Sequence, residues 1–299
     1  MNEYISSYEY ESNVNPILNN IPIISKNIEN VSNGIYHIDL SNNYNVDYKA
    51  TTPNLLANFI KIPPINELKF DNNDDILQAS SHFFYVMQGN AVMNIDHNSI
   101  TIKEGDIFIY PCLQSLSIQN IGKDELQIYY INDSPILHYL GSVPVKQMFK
   151  YAIYTQEYLS LQLQHLSNPN NNRKGILLSN LDTEKLGINT ITPVLWSLYN
   201  ELPPFTSQKP HKHNSVALDL CIESLDSENI YTLVGDELDE NENIINPTKV
   251  HWKKGEMFVT PPGLWHSHHN TGNTYAYILP IQDAGLLLYQ RILGIVIKN

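Results

Sequence analysis

The chain has 299 residues, with 31 Asp and Glu against 18 Lys and Arg and a formal net charge of −13. So acidic a surface repels phosphate backbones and argues against nucleic acid as a partner. With 42% hydrophobic and 16% charged residues the composition also excludes an intrinsically disordered chain. No apolar run approaches the roughly 20 residues of a membrane helix. The opening Met1-Asn2-Glu3-Tyr4 lacks the basic flank and apolar stretch of a signal peptide. Two cysteines, Cys112 and Cys221, make no disulfide framework. The expectation is a soluble, cytoplasmic protein with no membrane partner.

In chain order, residues 1–35 form a polar arm whose first 30 or so residues show weak helical periodicity. Short β-type runs follow, among them Ile100–Ile102, Ile107–Tyr110 and Leu126–Ile131. Val145 to Leu166 shows weak helical periodicity again and reads as a connector, taken here as 145–175. A second series of strands includes Met257–Thr260 and Tyr275–Leu279. Gly, Pro, Asn and Asp clusters punctuate these β-branched and aromatic runs, and many short, evenly spaced strands predict an all-β sandwich or barrel.

The two series are copies. Thr52-Pro53-Asn54-Leu55 followed by Pro63-Pro64 matches Thr192-Pro193-Val194-Leu195 followed by Pro203-Pro204, 140 residues on. Lys103-Glu104-Gly105-Asp106-Ile107-Phe108 faces Lys253-Lys254-Gly255-Glu256-Met257-Phe258, now 150 residues on. Pro111, Asn120, Gly122 and Asp133 match Pro261, Asn270, Gly272 and Asp283 at that same offset. An acidic insertion near Gly235 to Thr248 accounts for the change and reads as a solvated hairpin loop. Ordered matches across both halves indicate a duplicated domain, with copies at 36–144 and 176–299.

Six of the 11 histidines fall between His211 and His269. His211 and His213 are two apart, as are His266 and His268, and residues i and i+2 of a strand share a face. Antiparallel pairing of the two segments brings three or four imidazoles to one interior point, which suits Fe, Zn, Ni or Cu and leaves positions open. The metal set is His211, His213 and His266. The first copy has Asp71, Asn73, Leu116 and Ile118 at the corresponding positions, so the fold does not require these histidines. His268 is the candidate for proton transfer, since an ordinary imidazole titrates near neutrality. Trp265, Trp196, Tyr275 and Tyr277 are candidates for an aromatic pocket wall.

These residues resemble the cupin superfamily, and within it the bicupins of the gentisate 1,2-dioxygenase type. Pro210-His211-Lys212-His213, Ala217-Leu218, the run Gly255 to Pro262, Trp265-His266-Ser267-His268 and Ile281 to Gly285 look like that family's metal-bearing cupin. Phe84 to Gly89, Lys103 to Phe108 and Asn132 to Leu137 look like its other cupin, and the likeness covers about residues 50–295. It implies two tandem cupin (double-stranded β-helix, jelly-roll) barrels, with a few short helices in the arm and connector. It also implies Fe(II) on His211, His213 and His266, with His268 beside the substrate; Zn, Mn or Ni are the other metals considered. The usual cupin glutamate ligand is replaced by Leu218. Where the gentisate-type pattern has a substrate-binding arginine, this chain has Asp219, which adds repulsion toward an anionic aromatic acid and implies a substrate other than gentisate. Asp219 admits three readings: a fourth metal ligand, a partner for a cationic or hydroxyl-bearing part of the substrate, or a solvent-facing residue. The metal-bearing copy is C-terminal here, whereas the family usually has it N-terminal.

The expected function is a metal-dependent dioxygenase acting with O2 on a small oxygenated, possibly aromatic, molecule. The catalytic candidates are His268 and Asp219. A ligand-binding sensor or carrier, a Zn- or Mn-dependent isomerase or hydrolase, and association into a homo-oligomer are the alternatives kept open.

Overall fold

The computed structural model describes residues 4–15, 17–70, 74–166 and 172–298. It is an all-β architecture of two tandem jelly-roll barrels, with short helices only; among the described residues the longest is Gln156–His165. No helix there is long and apolar enough to cross a membrane.

Each barrel stacks two antiparallel sheets. In the first, a six-stranded sheet runs Ala152–Tyr154, Ile107–Pro111, Ser81–Gln88, Leu126–Asn132, Leu56–Ile62, Gly34–His37. It is faced by Glu67–Lys69, Leu116–Asn120, Asn90–Ile95 and Asn98–Lys103. In the second, the sheet runs Ser25–Asn27, Glu256–Thr260, Ala217–Ser224, Ala276–Gln282, Trp196–Leu202, Lys174–Leu178. Thr248–His251, Ile230–Gly235, Trp265–Asn270, His211–His213 and Ile295–Ile297 face it.

The arm and connector depart from the helical expectation. The arm holds one four-residue turn, Tyr10–Asn13, and then the strand Ser25–Asn27, which pairs with Glu256–Thr260 of the second barrel. The connector opens as the strand Ala152–Tyr154 on Ile107–Pro111 of the first barrel, and becomes helical only over Gln156–His165. The lead-in to each copy thus completes the sheet of the other. Unpaired main-chain groups on a sheet edge recruit an extended neighbour, and that outweighs a weak helical pattern.

The two six-stranded sheets are covered on both faces. Leu218, Leu220, Met257, Val259, Leu279 and Ile281 pack against Phe59, Phe83, Ile107, Ile109, Tyr129 and Ile131 in one core between the barrels. The alternate residues turn inward, and Phe84, Phe108, Ile128 and Tyr130 meet Ala91, Met93, Leu116 and Ile118 inside the first barrel. The central strands, such as Ser81–Gln88, Ile107–Pro111, Leu126–Asn132 and Ala276–Gln282, are therefore buried along most of their length rather than in strict alternation. Inside the second barrel the apolar filling, Leu202, Cys221, Ile230, Val250, Trp252, Phe258, Ala276 and Ile278, forms a separate cluster. None of these eight side chains lines the pocket described below.

The repeated residues perform the same tasks in both copies. The Thr52 and Thr192 hydroxyls accept from the amides of Leu55 and Leu195, at 3.0 and 2.9 Å. Asn120 Nδ2 donates to the carbonyls of Ile62 and Asp124, and its Oδ1 accepts from Gly122 N. Asn270 does the same with Leu202, Thr274 and Gly272. Asp133 and Asp283 accept the amides of Ser81 and Val216, each at 3.0 Å. Gly105 and Gly255 turn at φ of +84° and +75°, conformations costly for other residues. The acidic insertion extends the hairpin of Ile230–Gly235 and Thr248–His251, with Leu238 bridged to Ile244.

Asn270→Ala strips a fully buried side chain of three hydrogen bonds and orphans two carbonyls. We expect a loss of about 1–3 kcal/mol in urea unfolding, and a similar loss for Asn120→Ala.

Candidate metal centre

His211–His213 lies beside Trp265–Asn270, with His211 directly opposite His266, and the period-two pleat turns His213 to the same side. The ring centroids of His211 and His266 are 4.0 Å apart, those of His213 and His266 4.8 Å, and those of His211 and His213 5.9 Å. One ring nitrogen from each of the three lies within 4.8 Å of the others, the one such cluster of His, Cys, Asp or Glu among the described residues. Asp219 is not part of it.

Hydrogen bonds orient these rings. His213 Nδ1 sits 2.8 Å from the Ser215 carbonyl and His266 Nδ1 3.1 Å from that of Leu264. A carbonyl only accepts, so Nδ1 carries the proton and Nε2 presents its lone pair, the tautomer a metal ligand needs. Ser215 Oγ also donates to Gln282 Oε1 at 2.7 Å, fixing the His213 support. Burial pushes the pKa of His213 down; burial and neighbouring charge, chiefly from adjacent imidazoles, push His211 and His266 well below the ordinary value. All three are neutral at pH 7, as coordination requires. The donor set fits a borderline divalent transition metal.

His211 differs. Its Nδ1 lies 3.2 Å from Nη1 of Arg173, which can only donate, so in the metal-free protein that nitrogen accepts and the proton rests on Nε2. For His211 to coordinate through Nε2 the proton must move to Nδ1 and the Arg173 contact must be given up. Arg173 was not singled out from the sequence, where it stands as one basic residue after an Asn run. It also donates to Gln208 Oε1 at 3.2 Å and to the Lys209 carbonyl at 2.6 Å.

The imidazoles open onto a cavity of about 290 Å³. Arg173, Trp196, Asn200, Asp219, His268, Gln282, Ile295 and Ile297 are among its walls. Asp219 is 3% exposed, which removes the solvent-facing reading. Its Oδ2 accepts from Thr260 Oγ1 at 2.6 Å, and burial pushes its carboxyl up to about 7. His268 Nδ1 is 2.8 Å from Thr232 Oγ1, which accepts at 2.8 Å from Trp252 Nε1. The arrangement that uses every hydrogen is Trp252 to Thr232 to His268 Nδ1, leaving Nε2–H for the cavity.

No protein-family profile matches the sequence, and no curated protein sequence matches it. The structure matches salicylate 1,2-dioxygenase from Pseudoaminobacter salicylatoxidans, solved as adducts with gentisate, with a TM-score of 0.71 at 12% identity over 96% of this chain and 87% of that one. A mutant of the same enzyme in complex with gentisate gives 0.68 at 13% identity, covering 91% of this chain and 81% of that one. A cupin 2 conserved barrel domain protein from Leptotrichia buccalis gives 0.52 at 15% identity, covering 87% and 96%. The fold is that of a bicupin. At such identities the likeness is one of architecture.

In the first barrel, Leu116 and Ile118 stand where the second has its second histidine pair and are 2% and 0% exposed in an apolar core. Asp71 and Asn73 lie outside the described residues. Strand register pairs His82 with Asn132 and Phe84 with Tyr130, as it pairs Ala217 with Gln282 and Asp219 with Pro280, so Phe84 occupies the place of Asp219. His82 is buried with Nδ1 2.8 Å from the Tyr130 hydroxyl and no partner for Nε2.

Several sequence expectations need correction. Burial, then the charge of Arg173, pushes His268 down to about 3, so it does not titrate near neutrality. Of the four proposed aromatic walls, Trp196 lines the cavity. Trp265 faces the other way, beneath Lys212 Nζ at 4.6 Å from the ring centroid. Tyr275 is exposed, and Tyr277 donates to Glu201 in the cleft between the barrels. No residue of 236–247 lines the cavity. The C-terminal strand Ile295–Ile297, paired with His211–His213, supplies a wall that short sequence motifs did not mark.

Arg173→Gln frees the His211 lone pair and removes a cation, so it should tighten divalent-metal binding, read by competition with a chelating dye. In metal-free protein, the folded state keeps the Asp219 proton to a pH at which the unfolded chain has released it. The stability of Asp219→Asn relative to wild type should therefore grow as pH rises from about 4 to about 7, measured by urea unfolding across that range.

Proposed function

We propose that this bicupin is an iron(II)-dependent oxygenase of the dioxygenase type, acting on a small oxygenated molecule, aromatic ones included. The observation that carries the reading is the convergence of three neutral imidazoles on one point of a cavity large enough for a small substrate. His211, His213 and His266 hold the ion. Iron(II), when bound, supplies the redox chemistry by which dioxygen reacts with an organic molecule.

The remaining work falls to the chain. Trp196, Leu198, Ile295 and Ile297 give the cavity an apolar wall against which the hydrocarbon part of a substrate packs. His268 Nε2–H donates a hydrogen bond to a substrate oxygen and, being neutral, does not compete for a proton. Asp219 is the group whose carboxyl changes state near neutrality, and it holds or accepts a proton of the substrate. Gentisate is not the substrate proposed, because Asp219 repels an anion at that wall.

The test is anaerobic reconstitution with Fe(II), metal analysis, and oxygen uptake over a panel of diphenols, hydroxy acids and amino acids. About one iron per chain and oxygen consumption are expected, with both lost in His266→Ala. Sub-stoichiometric iron, or turnover that persists without oxygen, would overturn the reading.

A further inference from the structure

Resting on that reading of the site, we infer that the cavity recognises a zwitterion, a small molecule that presents a carboxylate to Arg173 and a protonated amine to Asp219. Two opposite charges line this cavity, and among the described residues neither has an ionic partner. The Arg173 guanidinium bonds only neutral acceptors, Gln208 Oε1, the Lys209 carbonyl and His211 Nδ1. Its Nε–H is buried with no acceptor at all. Asp219 receives one hydrogen bond, from Thr260 to Oδ2, and no cation. Lys174, which also lines the cavity, is taken up by Glu201 at 2.9 Å.

The other charged cavity, in the cleft between the barrels, makes the contrast. There Lys174 meets Glu201, and Lys254 meets Glu223 at 2.7 Å, so its lysines are neutralised within the protein. In the site cavity the charges wait for a ligand. Arg173, half-buried, keeps its charge, while the buried Asp219 carboxyl, pushed toward neutrality by desolvation, would be held ionised by a cation placed beside it. A simple anion relieves Arg173 but meets repulsion at Asp219, and a simple cation does the reverse. A molecule carrying both signs relieves both.

The two groups also stand on different walls. Asp219 sits on Ala217–Ser224, and Arg173 immediately precedes Lys174–Leu178, three places along the same sheet. Strand register sets Asp219 level with Leu177, so Arg173 lies three strands across and four residues along. At about 4.8 Å per strand and about 3.3 Å per residue their backbones are roughly 20 Å apart, which the long arginine side chain narrows. That spacing keeps the pair from neutralising each other and leaves room for a ligand between them.

The test is calorimetric titration of the full chain, metal-free and Fe(II)-loaded under anaerobic conditions. The probes are phenylglycine and para-(aminomethyl)benzoate, with para-toluate and benzylamine as one-charge controls. At least one zwitterion should bind tenfold or more tighter than both controls. In Asp219→Asn that preference should shrink below threefold while para-toluate binding is kept or improved. Equal affinity for para-toluate and the zwitterions, or no binding by either zwitterion, overturns the inference. If Asp219→Asn weakens metal binding and leaves the ligand ranking unchanged, the inference also falls, and Asp219 serves the ion. Stoichiometric iron with oxygen turnover but no zwitterion preference sinks this inference alone. Failure to bind iron sinks the oxygenase reading instead, while the ranking in metal-free protein still reads the cavity.

Discussion

A β-strand sends successive side chains to opposite faces, and in this protein both faces of the two central sheets are buried. One face of each joins the shared core between the barrels, where Leu218, Leu220 and Ile281 meet Phe83, Tyr129 and Ile131. The opposite face is thereby committed to the barrel interior, and whatever occupies it is held in register by a scaffold that is already stable. The first barrel fills that interior with Phe84, Leu116 and Ile118. The second places Asp219, His266 and His268 on the corresponding strand positions. Apolar and imidazole linings are alternatives on one framework.

The same burial sets the chemistry of the site. It holds His211, His213 and His266 neutral and so ready to act as ligands. It reverses the naive order of the two acid–base candidates, pushing His268 down to about 3 and Asp219 up to about 7. Side-chain type alone would make the histidine the group that exchanges protons at neutral pH. Desolvation exceeds the ordinary difference between the two groups, and transfers that capacity to the carboxyl.

Much of this was legible in the sequence because it rests on local rules. Asn120 with Gly122, Asn270 with Gly272, and the threonines at 52 and 192 recur because each copy needs the same turn and capping bonds. Turn chemistry is written in single residues, so the duplication shows at the level of motifs. The histidine spacing is legible for the same kind of reason, since i and i+2 share a face wherever a strand forms. Trp265 was misjudged although the rule applies to it equally: one residue from His266, it must face outward, and it does so beneath Lys212.

By itself, then, the sequence determined the twofold β architecture, the turns that bound its strands, and which imidazoles share a face, because these follow from nearest-neighbour geometry along the chain. Tertiary structure alone decided the rest. It brought Arg173 from the connector and Ile295 from the last strand to the wall of one cavity. It laid Ser25–Asn27 and Ala152–Tyr154 on the opposite barrels, and it removed water from around Asp219 and His268. Those outcomes depend on contacts between residues far apart in the chain and on the dielectric they create, and no local pattern encodes either.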